Sequence, residues 1–254
     1  MAERSESADV VIVTGGGRGI GAATARLAAE RGYAVCVNYR ANGAAAQAVA
    51  AAARAAGAKA IAVQCDVARE ADVVRLFDTA AAELGPITAL VNNAGILERQ
   101  GRLDAMEVAR IERVFATNVT GAFLCAREAV RRMSRRHGGA GGAIVNVSSI
   151  AAILGAPGEY VDYAASKGAI DTLTVGLARE VAEEGIRVNA VRPGVIRTDI
   201  HANGGEPGRV ERVKSAVPMR RGGEPEEVAR AILWLLSSES SYCTGTFIGV
   251  AGGR

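Results

Sequence analysis

The chain has 254 residues, with 30 basic against 27 acidic side chains, a net charge of +3 and 49% hydrophobic residues. That suits one large α/β domain and is too apolar and too evenly charged for a disordered chain. No apolar run approaches the roughly 20 residues that a bilayer-spanning helix needs.

The opening Met1-Ala-Glu-Arg-Ser-Glu-Ser lacks the basic-then-apolar order of a secretory signal, so a soluble, cytoplasmic protein is expected. Short apolar runs predict strands over 10–13, 34–38, 60–65, 89–91, 143–147, 187–191 and 246–250. Amphipathic stretches between them predict helices over 19–31, 44–56, 71–84, 104–136, 161–184 and 226–236. Strands without strict polar alternation suit a parallel sheet covered on both faces, and strand-helix repetition throughout predicts a doubly wound, Rossmann-like α/β fold in a single domain over 1–254. The segment 198–223, rich in Gly, Pro and charge, reads as an excursion from the sheet that could cover a substrate.

Several features read as structural. Cys36, Cys65, Cys125 and Cys243 show no Cys-x-x-Cys pairing, and His137 and His201 have no zinc-ligand spacing, so no metal is expected. With so few histidines, Ser-His-Asp catalysis is not expected either. The arginines at 127, 131, 132, 135 and 136 suit the solvated face and C-terminal turns of a helix rather than a nucleic-acid surface. Trp234 reads as core or a subunit contact.

Chemistry begins at Val10-Val-Ile-Val-Thr14-Gly15-Gly16-Gly17-Arg18-Gly19-Ile20-Gly21, a strand running through a glycine turn into a helix. Glycine lets the backbone turn sharply and approach a pyrophosphate, whose charge the helix N-terminus then meets. A dinucleotide site for NAD places a carboxylate at the end of the second strand. Here the chain reads Val37-Asn38-Tyr39-Arg40, so NADP is expected ahead of NAD, with Arg18 and Arg40 pairing with its 2′-phosphate.

Among the five tyrosines only Tyr163 has a lysine four residues on, Lys167. On a helix the two share a face, so the ammonium could lower the phenol pKa toward a working general acid/base. Upstream, Ala143-Ile-Val-Asn-Val-Ser148-Ser149 delivers a hydroxyl at the C-terminal edge of a strand, where Ser149, with Ser148 as the alternative, could polarise a substrate oxygen.

These motifs resemble the short-chain dehydrogenase/reductase family over essentially the whole chain. The match rests on Thr14-Gly15-x-x-x-Gly19-x-Gly21, Cys65-Asp66-Val67, Asn92-Asn93-Ala94-Gly95, Asn118, Ser149, Tyr163-x-x-x-Lys167 and Arg192-Pro193-Gly194. The resemblance implies an oxidoreductase acting by hydride transfer between a nicotinamide cofactor and a carbonyl or secondary alcohol, with Asn118, Ser149, Tyr163 and Lys167 as its catalytic set. It implies cofactor contacts from Gly15, Gly17, Arg18, Gly19, Ile20 and Gly21, from Tyr39 and Arg40, from Asp66 and Val67 beside the adenine, and from Asn93, Ala94 and Gly95. Tyr163 and Lys167, then Pro193, Gly194, Ile196 and Thr198, complete that set, and Asn118 would hold a water that links Lys167 to solvent. A homotetramer assembled through 104–136, 161–184 and the last strand is implied as well.

Two departures stand out. Ser149 and Tyr163 are 14 residues apart, one more than in many members, and Gly249-Val-Ala-Gly-Gly lacks the acidic residue often found before the paired glycines. The substrate is open. The arginines at 99, 102, 209 and 212 read as solvated, with an acidic substrate or carrier as the other reading. A 3-oxoacyl-carrier-protein reductase and a non-catalytic NADP-binding regulator are the rival functions.

Overall fold

Residues 9–254 are described by a computed structural model, so the reading of the first seven residues lies outside the described residues. β-Branched runs form β1 Val10–Val13, β2 Ala34–Tyr39, β3 Ala60–Gln64, β4 Ile87–Asn92, β5 Gly142–Val147, β6 Ile186–Pro193 and β7 Phe247–Val250. They pair in parallel in the order β3-β2-β1-β4-β5-β6-β7. Side chains alternate across this sheet. Val11, Val13, Val35, Val37, Val91 and Val145 share one core, and Val10, Ile12, Cys36, Leu90 and Ile144 share the other.

The connections cover both faces with α1 Gly19–Glu30, α2 Gly43–Ala55, α3 Glu70–Leu84, α4 Val108–Phe115, α5 Gly121–Met133, α6 Ala151–Leu154, α7 Val161–Glu180, α8 Ile200–Asn203, α9 Arg209–Val213 and α10 Pro225–Leu236. On the first face α1 and α2 pack through alanines (Ala22, Ala25, Ala28, Ala46, Ala50, Ala53), and α10 adds Val228, Ile232 and Leu233. On the second, α3 and α5 contribute Val73, Leu76, Phe77, Cys125, Ala129 and Met133. Strand order reverses between β1 and β4, and a crevice opens outside the carboxyl ends of strands at such a switch point.

Three expectations change. The helix predicted over 104–136 is not one helix. It comprises a 3₁₀ turn at Leu103–Ala105, α4, a π-helical turn at Ala116–Thr120, α5 and a second 3₁₀ turn at Arg135–His137. Asn118 lies inside the π turn, and the Ser134 hydroxyl caps the final 3₁₀ turn by accepting from Arg136 N at 3.0 Å, which stops α5. The helix predicted to reach 184 ends at Glu180, ahead of Gly185, whose φ is +82°. The 198–223 excursion carries α8 and α9 and rejoins the sheet edge through a bridge between Ile196 and Gly223.

The arginines of α5 are tied down within the chain. Arg131 and Arg132 flank the buried Glu128 carboxylate at 2.8 and 2.6 Å, Arg127 reaches Glu70 at 2.6 Å, and Arg132 also reaches Asp78 at 2.5 Å. Trp234 is half-buried against the first core.

Candidate active site

β1 ends in Thr14, whose hydroxyl accepts from Asn93 N at 2.9 Å and Ala94 N at 3.0 Å. The Asn93 carboxamide donates back to Thr14 O at 2.8 Å and Gly15 O at 3.1 Å, so the turn after β4 clamps the turn after β1. From the other side, Asn38 Oδ1 accepts from Gly15 N at 3.1 Å while its Nδ2 donates to Cys65 O at 3.0 Å. The ends of four strands are thereby locked around one glycine turn.

Within that turn Gly15 and Gly19 have φ of +62° and +52°, a region that favours glycine. A Cβ on Gly21 would stand 2.5 Å from Gly15 O, so the helix packs on the turn only because that side chain is missing. The first turn of α1 holds no acidic residue, and Arg18 at its N-cap makes no side-chain cap, which leaves backbone N–H groups for an anion. An uncapped helix end behind a turn that excludes side chains fits the pyrophosphate of a nicotinamide dinucleotide.

A cavity of about 690 Å³ runs along this edge of the sheet. It brings together Gly15, Gly17, Arg18, Gly19 and Ile20 with Tyr39, Arg40, Asp66, Val67, Asn93, Ala94 and Gly95. Ser149, Tyr163, Lys167, Pro193, Gly194, Ile196 and Thr198 line the same space. Gly21 and Asn118, both named from the sequence, do not. Gly21 serves packing. Asn118 spends its carboxamide on Ile96 N at 2.8 Å, Ile96 O at 3.1 Å and the Ser166 hydroxyl at 3.1 Å. It therefore fixes the loop after β4 against α7.

At the end of β2 the two candidate phosphate ligands differ. Arg40 is exposed, and no hydrogen bond or ion pair holds its guanidinium among the described residues. Arg18 reaches across to α8, where the Asn203 carboxamide, oriented by these bonds, accepts at 3.0 and 2.9 Å. Asp66 Oδ1 accepts from Ala68 N at 3.1 Å, which fixes its carboxylate at the cavity wall.

The two serines after β5 separate cleanly. Ser148 donates to Asp171 Oδ1 at 2.6 Å, and Asp171 is also held by Arg192 Nη2 at 2.8 Å. Ser149 shares the cavity with the Tyr163 phenol and favours its ionised form, and its own oxygen accepts from Ala151 N at 3.1 Å. Lys167 is 4% exposed, donates from Nζ to Val147 O at 2.7 Å, and lies 5.6 Å from the centre of the Tyr163 ring.

The sequence led us to expect a phenol pKa lowered by Lys167. Among the protein groups alone the direction is the opposite. Loss of water around the hydroxyl pushes Tyr163 up, and the neighbouring Ser149 hydroxyl only partly offsets this. Burial pulls Lys167 itself down to about 8 against the opposing pull of Asp171.

The substrate side of the cavity holds residues the sequence reading passed over. Tyr160 is 2% exposed and His201 9%, and both line the space. Their signal was weak, since a lone aromatic or histidine is usually core. Asn38 and Asp171 were missed because the groups they join, Gly15 and Cys65 for Asn38 and Ser148 and Arg192 for Asp171, lie 21 or more positions away in the chain. Arg99 and Arg102 are exposed, as expected, whereas Arg209 is not solvated. Its side chain is 13% exposed, pairs with Glu159 and Glu206, and lies 4.9 Å over the Tyr160 ring.

Sheet order, glycine turn and cavity together define a dinucleotide-binding oxidoreductase of the Rossmann-like class. Residues 15–254 match a family model described as enoyl-(acyl carrier protein) reductase. The chain is 60% identical over 245 residues to the uncharacterized oxidoreductase YgfF of Escherichia coli K12, covering 96% of this chain and 99% of that one. It is 44% identical to cis-4-hydroxycyclohexanecarboxylate dehydrogenase of Sinomonas cyclohexanicum, covering 96% and 95%. Among solved structures, a short chain dehydrogenase from Burkholderia cenocepacia J2315 in complex with NADP superposes with a TM-score of 0.89 at 33% identity, covering 97% and 98%. The chain belongs to the short-chain dehydrogenase/reductase family, whose members bind a nicotinamide cofactor and act on alcohol and carbonyl groups.

Proposed function

We propose that this protein interconverts a carbonyl and a secondary alcohol with NADP, using Tyr163 as general acid/base. The observation that carries the reading is that Ser149, Tyr163 and Lys167 line one cavity with the glycine turn, Lys167 Nζ lying 5.6 Å from the centre of the Tyr163 ring. A nicotinamide held by the glycine turn, Tyr163 and Lys167 would supply or take the hydride at the substrate carbon. Ser149 holds the substrate oxygen as charge develops on it, and Tyr163 gives that oxygen its proton in reduction or takes it in oxidation. Lys167 supplies positive charge next to the phenol and a donor for the cofactor ribose. Asn118 ties the loop after β4 to α7 through Ile96 and Ser166, and would complete a proton path from Lys167 to water. Tyr163→Phe is expected to lower kcat by about 10³-fold or more while NADPH binding stays within about threefold. A variant that keeps most of its turnover overturns the assignment.

NADP is favoured over NAD because no carboxylate stands at the end of β2, where Asn38 is occupied by the glycine turn and Arg40 is exposed. Arg40→Ala is expected to weaken NADPH about tenfold or more and leave NADH nearly unchanged. Equal loss for both cofactors argues against this choice.

The rest of the reading is a single domain over 1–254 whose 198–223 excursion covers the substrate, in a homotetramer. Exposed Leu103, Val108 and Phe123 on the α4–α5 side and half-buried Phe247, Ile248 and Val250 on the edge strand β7 support assembly. Light scattering on the purified protein tests it. An acyl-carrier substrate, as the family description names, is the rival. Turnover of 3-oxoacyl carriers far above that of free ketones favours it.

A further inference from the structure

α6 presents an apolar surface that no described residue buries. All four of its residues, Ala151, Ala152, Ile153 and Leu154, are apolar and none is buried, with Ile153 61% and Leu154 45% exposed. The helix starts two residues after Ser149, and Ala151 N donates to the Ser149 oxygen at 3.1 Å, so α6 is fixed beside the hydroxyl proposed to meet the substrate. Leu154 lines the cavity, together with Ile150 before the helix and Pro157 after it. Ile96 and Leu97 from the loop after β4, and Ile200 from α8, add to the same lining. None of these six is buried, so each has surface that a ligand can touch.

Polar groups on this side of the cavity are engaged or closed off. The Tyr160 hydroxyl and His201 Nδ1 are shut off from solvent, and the Arg209 guanidinium is held by Glu159 and Glu206. Asp199 and Arg254 also line the cavity, but they are opposite in sign and exposed, where solvent and salt screen their pull on a ligand. What remains for the body of a substrate is apolar contact, worth about threefold to fourfold in affinity for each methylene buried.

We propose that the substrate carries an uncharged apolar body beyond its reacting carbon, and that Leu154 of α6 is a residue that selects it. Alkyl-substituted cyclic ketones and the alcohols they form match this wall, whereas sugars and hydroxy acids do not. The proposal rests on the carbonyl–alcohol reading above.

The test follows NADPH oxidation by the intact protein with cyclohexanone, its 4-methyl, 4-ethyl and 4-propyl derivatives, 4-hydroxycyclohexanone and 4-oxocyclohexanecarboxylate. Expected is a rise in kcat/KM along the alkyl series that puts 4-propylcyclohexanone about tenfold or more above cyclohexanone. The hydroxy ketone and the keto acid are expected to be no better than cyclohexanone. In Leu154→Asn the ratio of propyl to unsubstituted ketone is expected to fall about fivefold or more, whereas Leu154→Met keeps it. That ratio does not depend on how much of a variant folds. A flat or falling series overturns the proposal, as does a keto acid or hydroxy ketone used better than 4-propylcyclohexanone, or a ratio unchanged in Leu154→Asn. If no ketone is turned over, the proposed activity fails instead. Calorimetry of 4-propylcyclohexanone and cyclohexanone with the NADP-loaded protein then decides the apolar wall, and equal affinity overturns it.

Discussion

Burial shifts Tyr163 and Lys167 each toward its neutral form, upward for the phenol and down to about 8 for the ammonium. With its proton held by burial, the phenol is ready to donate, which favours reduction at neutral pH. Oxidation needs the phenolate, so its kcat/KM is expected to climb with pH from about 7 toward 10. Ser149→Ala removes the hydroxyl that favours the phenolate, and its profile should lie further alkaline than that of the unaltered protein. Superimposable profiles argue against a Ser149 contribution to the phenol. Lys167 permits a sharper substitution. Its Nζ lies on Val147 O, and a Cβ at Gly95 would come 3.6 Å from it, so the space is cut to an ammonium. A guanidinium is planar and broader. Lys167→Arg is therefore expected to lower kcat about 100-fold or more even though the charge is kept. Near-normal turnover shows that charge alone suffices. The Tyr163–Lys167 pair was legible because both groups sit on one helix at a spacing geometry fixes. The sequence favoured Ser149 but left Ser148 open, since what separates them is that the Ser148 hydroxyl is taken up by Asp171, 23 positions away.

At the scale of elements, long-range contacts decide what local pattern leaves open. An amphipathic run over 104–136 reads as continuous helix, yet the Asn118 carboxamide binds Ile96 and Ser166 from a π turn, a feature frequent at functional sites. The strand positions needed no such contacts and were legible from β-branched runs alone. The 198–223 excursion read as irregular because its order comes from ion pairs. Arg212 holds Glu159 at 3.0 Å, Arg212 and Arg209 hold Glu206, and Arg18 holds Asn203. Hydrogen bonding from Arg212 lowers the Glu206 pKa from 4.5 to about 2. A depressed folded pKa gives stability that is present above 4.5 and lost as pH falls toward about 2. Acid should therefore free α8 and α9 before the sheet opens, and Glu206→Gln should do so at neutral pH. Hydrogen exchange is expected to rise several-fold in residues 200–216 of that variant with β1 and β4 unchanged. Uniform exchange across the chain counts against a latch.

Across the whole molecule the two sheet faces are built from different material, and the difference predicts how the protein unfolds. One face is alanine and valine under α1, α2 and α10. The other encloses the thiols of Cys36, Cys65 and Cys125. In the sequence Cys36 and Cys65 fall in strand-like runs and read as small buried hydrophobes; that Cys125 shares their core follows from the crossover that brings α5 over the strands. Burial pushes Cys36 and Cys65 up to about 12 and raises Cys125 as well. In the unfolded chain a thiol loses its proton near 9, so above that pH the unfolded state binds fewer protons than the folded one. Stability is then full below 9 and falls as pH rises toward about 12. Three such groups set an upper limit of about 4 kcal/mol lost per pH unit. Denaturant midpoints measured at successive pH values from about 8 to 10.5 should show this slope. The combined variant Cys36→Ala, Cys65→Ala, Cys125→Ala should be less stable at pH 8, because the core loses sulfur contacts, yet flatter above 9. Tyrosines and lysines titrate alike in both proteins, so the difference in slope isolates the thiols. Parallel slopes would show that these cysteines reach water in the folded state, contrary to their burial beneath α3 and α5.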